Sequence, residues 1–166
     1  MYYLGIDTSN YTTSLALYNS EDNSVIQRKR LLPVTSGQLG LRQSDALFHH
    51  TKQLPELFEE LFKESAERIK AVGVSVKPRN TEGSYMPCFL AGVSAAKAIS
   101  SVNKIPIYAF SHQAGHIAAA LYSSDSIDLI EQEFIAFHLS GGTTEALYVK
   151  PGKDRIFDIS LVAKTL

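Results

Sequence analysis

Two histidines four residues apart, in His112-Gln113-Ala114-Gly115-His116, have the spacing that does chemistry most readily in this chain. On a helix, positions i and i+4 share a face, so both imidazoles come within reach of one metal ion. A zinc peptidase of the His-Glu type needs Glu directly after the first histidine as general base; Gln113 stands there and argues against that chemistry. A metal also needs further ligands, and no Cys or other His stands close by in sequence. The plainer reading is two unrelated polar histidines at a helix start.

Two turns carry hydroxyls and glycines. Gly5-Ile6-Asp7-Thr8-Ser9-Asn10-Tyr11-Thr12-Thr13 offers backbone N–H groups and hydroxyls that can cradle a phosphate, with Asp7 placed to hold a metal-bound water. Leu139-Ser140-Gly141-Gly142-Thr143-Thr144 lets the backbone approach a ligand closely. Each alone is also what an ordinary hairpin turn looks like. His49 and His50 are adjacent on a helix, face different ways and read as solvated; Cys88 at a helix start reads as packing.

The elements that position these residues follow from periodicity. Residues 3–7, 12–18 and 25–32 read as an antiparallel meander, with Thr13, Leu15 and Leu17 forming one face of its second strand. Leu47, Leu54, Leu57, Phe58, Leu61 and Phe62 recur at helical spacing from Gln43 to about Ile69, with Pro55 as a candidate kink. A strand at 71–76, a small-residue helix at 88–101, a strand at 105–109 and a helix at 112–122 capped by Ser111 come next. After a polar link, strands at 134–139, 145–150 and 155–162 repeat the opening meander. The order is βββ-α-β-α-β-α followed by βββ, a mixed α/β unit and the start of a second copy. The two hydroxyl-rich turns fall at the same place in each copy, so facing one another they would form a nucleotide clamp.

Bulk composition excludes several classes. The 166 residues suit one or two compact domains, and 45% hydrophobic with 20% charged residues is ordinary globular composition. One cysteine excludes an intrachain disulfide framework and fits a reducing, cytoplasmic setting. No stretch approaches the ~20 apolar residues of a bilayer span, and the N-terminus lacks a signal-peptide pattern. With 16 basic and 17 acidic residues, net charge −1, there is no global field for a nucleic-acid backbone; Arg28-Lys29-Arg30 reads as a solvated strand end.

Taken in order, Gly5-Ile6-Asp7-Thr8-Ser9, the His112/Gly115/His116 set and Ser140-Gly141-Gly142 resemble the TsaD-type family of tRNA threonylcarbamoyladenosine synthases, long labelled glycoproteases. The helix around His49 and the register of Pro55 are similar to that family, and the resemblance runs over almost the whole chain. It implies an actin/sugar-kinase/Hsp70-like (ribonuclease H-like) α/β fold, with a first lobe over 1–124 and the opening of a second over 125–166. It also implies transfer of a threonylcarbamoyl group from threonylcarbamoyl-adenylate to N6 of the adenosine beside the tRNA anticodon. By this similarity His112 and His116 would bind zinc or iron. Asp7, Thr8, Ser9, Ser140, Gly141 and Gly142 would line a pocket for ATP or the adenylate. The implied partners are tRNA, reached through partner proteins, other subunits of the pathway, a C-terminal lobe and a second copy of the chain, with no membrane.

Several positions differ from the family pattern. Asp7 stands where Glu is usual, Thr143 where His is usual, and Lys77-Pro78-Arg79-Asn80-Thr81-Glu82-Gly83 replaces a Gly-Pro-Gly loop. The family's third metal ligand, an Asp, would lie beyond residue 166. The resemblance is therefore to the N-terminal portion of a divergent member, inactive alone. The alternatives are a non-catalytic partner subunit of the same pathway, a metal- or nucleotide-binding paralogue with another acceptor, and a sugar or acetate kinase of the same fold; peptidase activity fits least.

Overall fold

Apolar alternation builds the first sheet, as the computed structural model of residues 1–34, 40–63, 68–139 and 144–165 shows. β1 (Tyr2–Asp7), β2 (Thr12–Asn19) and β3 (Ser24–Leu31) form the expected meander. In β2 every second residue is buried, with Thr13, Leu15 and Leu17 inward as expected. β4 (Ile69–Lys77) and β5 (Ile107–Ser111) join parallel to β1, giving the order β3-β2-β1-β4-β5. α1 (Gln43–Phe62) and α2 (Phe89–Asn103) link the strands and pack on this sheet and on each other.

The core lies between. Leu54, Leu57 and Leu61 of α1 and Ala91 and Ala96 of α2 close over Leu4, Ile6, Leu15, Leu17, Val72 and Val74. Each fully buried leucine contributes roughly 1.5–3 kcal/mol of transfer free energy. Pro55 lies inside α1 without ending it, on an exposed position. The helix expected to run to about Ile69 stops at Phe62, because Ile69 already pairs with Tyr2 in the sheet. Arg30, expected to be a solvated strand end, instead pairs with Glu56 and with Glu60, the latter at 2.6 Å, on α1.

One close approach ties β1 to α2. The Thr8 hydroxyl, fully buried, donates to the Cys88 carbonyl at 3.0 Å and accepts from Gly92 N–H at 3.1 Å. A Cβ at position 92 would sit 2.9 Å from Thr8 Oγ1 and 3.2 Å from Ile6 Cγ2, so this helix position requires glycine. Cys88 is buried beside Leu32, Ala46 and Phe89, the packing role expected of it.

α3 (His112–Ser123) starts directly after Ser111, the buried last residue of β5. The expected polar link contains a short 3-10 turn, Ile127–Glu131. β6 (Phe134–Leu139), β7 (Thr144–Pro151) and β8 (Phe157–Lys164) then form a separate antiparallel sheet, the second meander. Its core is Leu147, Val149 and Phe157 against Ala114, Ile117 and Leu121 of α3. Alternate residues of β6, Ile135, Phe137 and Leu139, remain exposed, Phe137 at 69%. Packing divides the chain into two compact units, Met1–Pro78 with Gly83–His112, and Arg79–Glu82 with Gln113–Leu166. That division falls at the start of α3, whereas the sequence placed the lobe boundary after its end, at 124.

Candidate functional site

In the first unit, Asp7, Ser75 and His112 stand at the carboxyl ends of the parallel strands β1, β4 and β5, the end where open α/β sheets bind ligands. Pairing of β4 with β5 is irregular between Ser75 and Lys77, beside this cluster. Asp7 uses both carboxylate oxygens. Oδ1 accepts from Ser9 N–H at 2.8 Å and from the Ser9 hydroxyl at 2.5 Å; Oδ2 accepts from the Ser75 hydroxyl and from His112 Nδ1 at 2.9 Å. Burial by itself would raise the Asp7 carboxyl, but the bonds and charge of His112, then those of Ser75 and Ser9, outweigh it. Asp7 is held well below the usual carboxylate range and is ionised at neutral pH.

An ionised carboxylate can only accept, so Nδ1 of His112 carries a proton, and in the neutral ring the lone pair is on Nε2. Ser9 Oγ lies 3.4 Å from that Nε2. Asp, His and Ser are the residue types of a hydrolase triad, but the Ser9 proton goes to Asp7 and the serine is buried. The geometry is that of a positioned imidazole, with Phe89 edge-on to its ring at a centroid distance of 6.5 Å.

The other residues singled out from sequence divide. Thr8 belongs to the same turn, but both functions of its hydroxyl are used in packing on α2. Ser140, Gly141 and Gly142 lie outside the described residues. His116 is on α3, exposed, and belongs to the second unit. His50, expected to be solvated, is wholly buried, because it shares the inward stripe of α1 with Ala46 and Leu54 at spacings of four. Its Nδ1 bonds Thr13 Oγ1 at 2.8 Å, and its Nε2 is buried with no partner.

Sequence reasoning missed a second polar cluster, in the second unit. Glu145 shares the inward face of β7 with Leu147 and Val149, and its side chain is 1% exposed. Arg79 Nη2 lies 3.0 Å from each of its oxygens, and His138 Nδ1 lies 3.4 Å from Oε2. Burial pushes the Glu145 carboxyl up, yet the bonds to Arg79 and then His138 bring it below its ordinary value. A signal existed: a carboxylate at an inward strand position must find a cationic partner. Among the described residues, no three His, Cys, Asp or Glu side chains converge on a common metal point.

Comparison with known proteins follows the same lines. The family described as "TsaD: tRNA N6-adenosine threonylcarbamoyltransferase" matches residues 34–163. The chain is 29% identical over 163 residues to the tRNA N6-adenosine threonylcarbamoyltransferase of Streptococcus pneumoniae, covering 92% of this chain and 44% of that protein. To the enzyme of the same name from Methanopyrus kandleri it is 24% identical over 145 residues, covering 86% and 40%. The chain thus spans less than half the length of these relatives. Among solved structures, YeaZ from Pseudomonas aeruginosa superposes with a TM-score of 0.56 at 14% identity, over 99% of this chain and 66% of that one. The sugar-kinase-type Lmo2764 protein from Listeria monocytogenes superposes at 0.54 with 10% identity, over 98% and 49%. These likenesses establish the actin/sugar-kinase-type fold expected from the sequence. With a match that runs across most of its length, the chain belongs to the TsaD family of tRNA N6-adenosine threonylcarbamoyltransferases.

Proposed function

We propose that this chain supplies the N-terminal part of a site that transfers a threonylcarbamoyl group from threonylcarbamoyl-adenylate to N6 of an adenosine in tRNA. The observation that carries the reading is the Asp7–His112 bond within a chain of this family. Metal-ligating histidines characteristically donate their second ring nitrogen to a carboxylate, which fixes the tautomer. His112 has that arrangement, which supports a ligand role for it, and by the family resemblance His116, four positions on in α3, would be the second ligand. Imidazole donors suit zinc or iron, and such an ion when bound supplies Lewis-acid polarisation of the carbamoyl oxygen.

The chain's own residues have distinct parts. Asp7 aims the His112 ring and, by accepting from Nδ1–H, selects the neutral tautomer whose lone pair is on Nε2. Ser9 and Ser75 hold Asp7 in turn, so the imidazole is fixed from two strands. The Asp7–Ser9 turn would line the adenylate, with the Thr8 hydroxyl fastening the turn to the Cys88 carbonyl and Gly92 N–H. Net charge −1 gives no broad attraction to RNA, so tRNA would be delivered by partner subunits.

The test is nucleoside mass analysis of tRNA incubated with threonylcarbamoyl-adenylate, the chain, and the C-terminal portion of a family transferase supplied in trans. Threonylcarbamoyladenosine that depends on the chain and disappears with His112→Ala is the expected result. Unmodified tRNA, under conditions where the chain binds the adenylate, would overturn the reading in favour of a non-catalytic subunit.

A further inference from the structure

We infer that two copies of this chain associate through β6, whose free edges pair antiparallel about a two-fold axis centred on Phe137. β6 ends the order β6-β7-β8, and among the described residues no strand pairs with its other edge. The main-chain N–H and C=O groups along that edge form an unpaired row, a template for a further strand. The opposite edge of the same sheet is guarded: β8 brings Asp158 and Lys164, with a register irregularity against β7. β6 runs Phe134-Ile135-Ala136-Phe137-His138-Leu139 and has no Lys, Arg, Asp, Glu or Pro to keep a second chain away.

The side chains make this edge complementary to itself. Phe134 and Ala136 pack toward α3, whereas Ile135, Phe137 and Leu139 alternate with them, point to the opposite face and are exposed. In an antiparallel pair, residues directly opposite one another share a face. An axis through Phe137 and normal to the sheet therefore sets Phe137 against its own counterpart, and Ile135 against Leu139 of the second copy. On the α3 face the same register sets Ala136 against His138, so no like charges meet. An axis through Ala136 would instead set Leu139 against Glu133, a charged residue that the Tyr148 hydroxyl already engages. Pairing about Phe137 joins two three-stranded sheets into one, with α3 of both copies on the same face, an isologous interface. The aromatic pair on the axis is its central anchor. The interface lies wholly in the second unit, and the inference does not rest on the transfer reading.

The experiment is sedimentation analysis of the 166-residue chain across a dilution series, which should show a reversible dimer. Phe137→Lys sets two ammonium groups against each other on the axis and should weaken that dimer at least about thirtyfold. Val102→Lys, at an exposed position on α2, should leave it intact. Phe137→Cys reads the geometry directly. Opposite Cα atoms in such a pair lie about 4.5–5.5 Å apart, within the roughly 4.4–6.8 Å that a disulfide spans. The natural Cys88 is buried, so oxidised glutathione should link the two chains through position 137. Leu139→Cys, which faces Ile135 of the second copy, should not link to itself. A chain that stays monomeric at every concentration overturns the inference, whether or not it captures the C-terminal portion of a family transferase. A dimer that Phe137→Lys leaves intact, or that Phe137→Cys fails to cross-link, overturns it equally. Transfer activity plays no part in these readouts, so either reading can fail while the other stands.

Discussion

The Nδ1 of His112 donates a 2.9 Å hydrogen bond to Oδ2 of Asp7, joining the first residue of α3 to the last residue of β1 across 105 positions of sequence. The bond is enclosed by Ser9 on one oxygen and Ser75 on the other, so the carboxylate has a single arrangement and the ring follows it.

Asp7→Asn should show what this arrangement contributes. An amide cannot accept all four bonds, and loss of a charge-assisted acceptor in this setting costs about 2 kcal/mol. The pH dependence has a fixed sign. The folded carboxyl titrates below its unfolded value, so between the two the unfolded chain binds more protons and stability rises with pH. The contribution is complete above about pH 4 and is lost as the pH falls from there. Urea midpoints from pH 6 to pH 2 should fall less steeply in Asp7→Asn than in the wild type.

Gly92→Ala should be destabilising although alanine is the better helix former by about 1 kcal/mol. The new methyl meets Thr8 Oγ1 at 2.9 Å, and that hydroxyl is pinned by bonds to Cys88 and Gly92 in a buried site. Overpacking of this kind costs roughly 1–3 kcal/mol, with strain passed to the Asp7–Ser9 turn. Equilibrium urea unfolding checks the sign; a more stable variant would mean that α2 shifts freely.

His50 predicts a second, separate pH window. Burial lowers its pKa, with His49 acting the same way, against weaker raising contributions from the Asn10 backbone and Asp7. The ring is therefore neutral in the fold, and below about pH 6.5 the unfolded chain takes up a proton that the native state refuses. Stability should decline from pH 7 to pH 5, and His50→Gln should flatten that decline. Unchanged slope in the variant would assign it to another histidine.

Much of the fold was legible because its signals are local. The alternation of Thr13, Leu15 and Leu17 and the helical spacing of Leu54, Leu57 and Leu61 each name an element and its inward face. The extent of α1 was not legible, because β-sheet pairing of Ile69 with Tyr2 is a long-range competitor that periodicity does not see. At the site, Asp7, Ser9 and His112 were read from their motifs, but their mutual bonding depends on three strands ending together. Ser75 carries no motif, and His138 and Arg79 acquire meaning only through Glu145. The burial of His50 was available in the 46–50–54 register, which outweighs the general preference of histidine for the surface.

Arg79 and Glu145 offer the sharpest test of that second cluster. Arg79→Met should leave a buried carboxylate with only the 3.4 Å contact of His138, and removing one partner of such a pair costs roughly 1–3 kcal/mol. Pairing it with Glu145→Gln removes the charge that needed the partner. The double variant should therefore be more stable than Arg79→Met alone, giving a coupling of about 1–2 kcal/mol in a double-mutant cycle. Thermal or urea unfolding of the four proteins measures it. If the two single effects simply add, Arg79 is a solvent-screened surface charge and Glu145 is held by something other than its guanidinium.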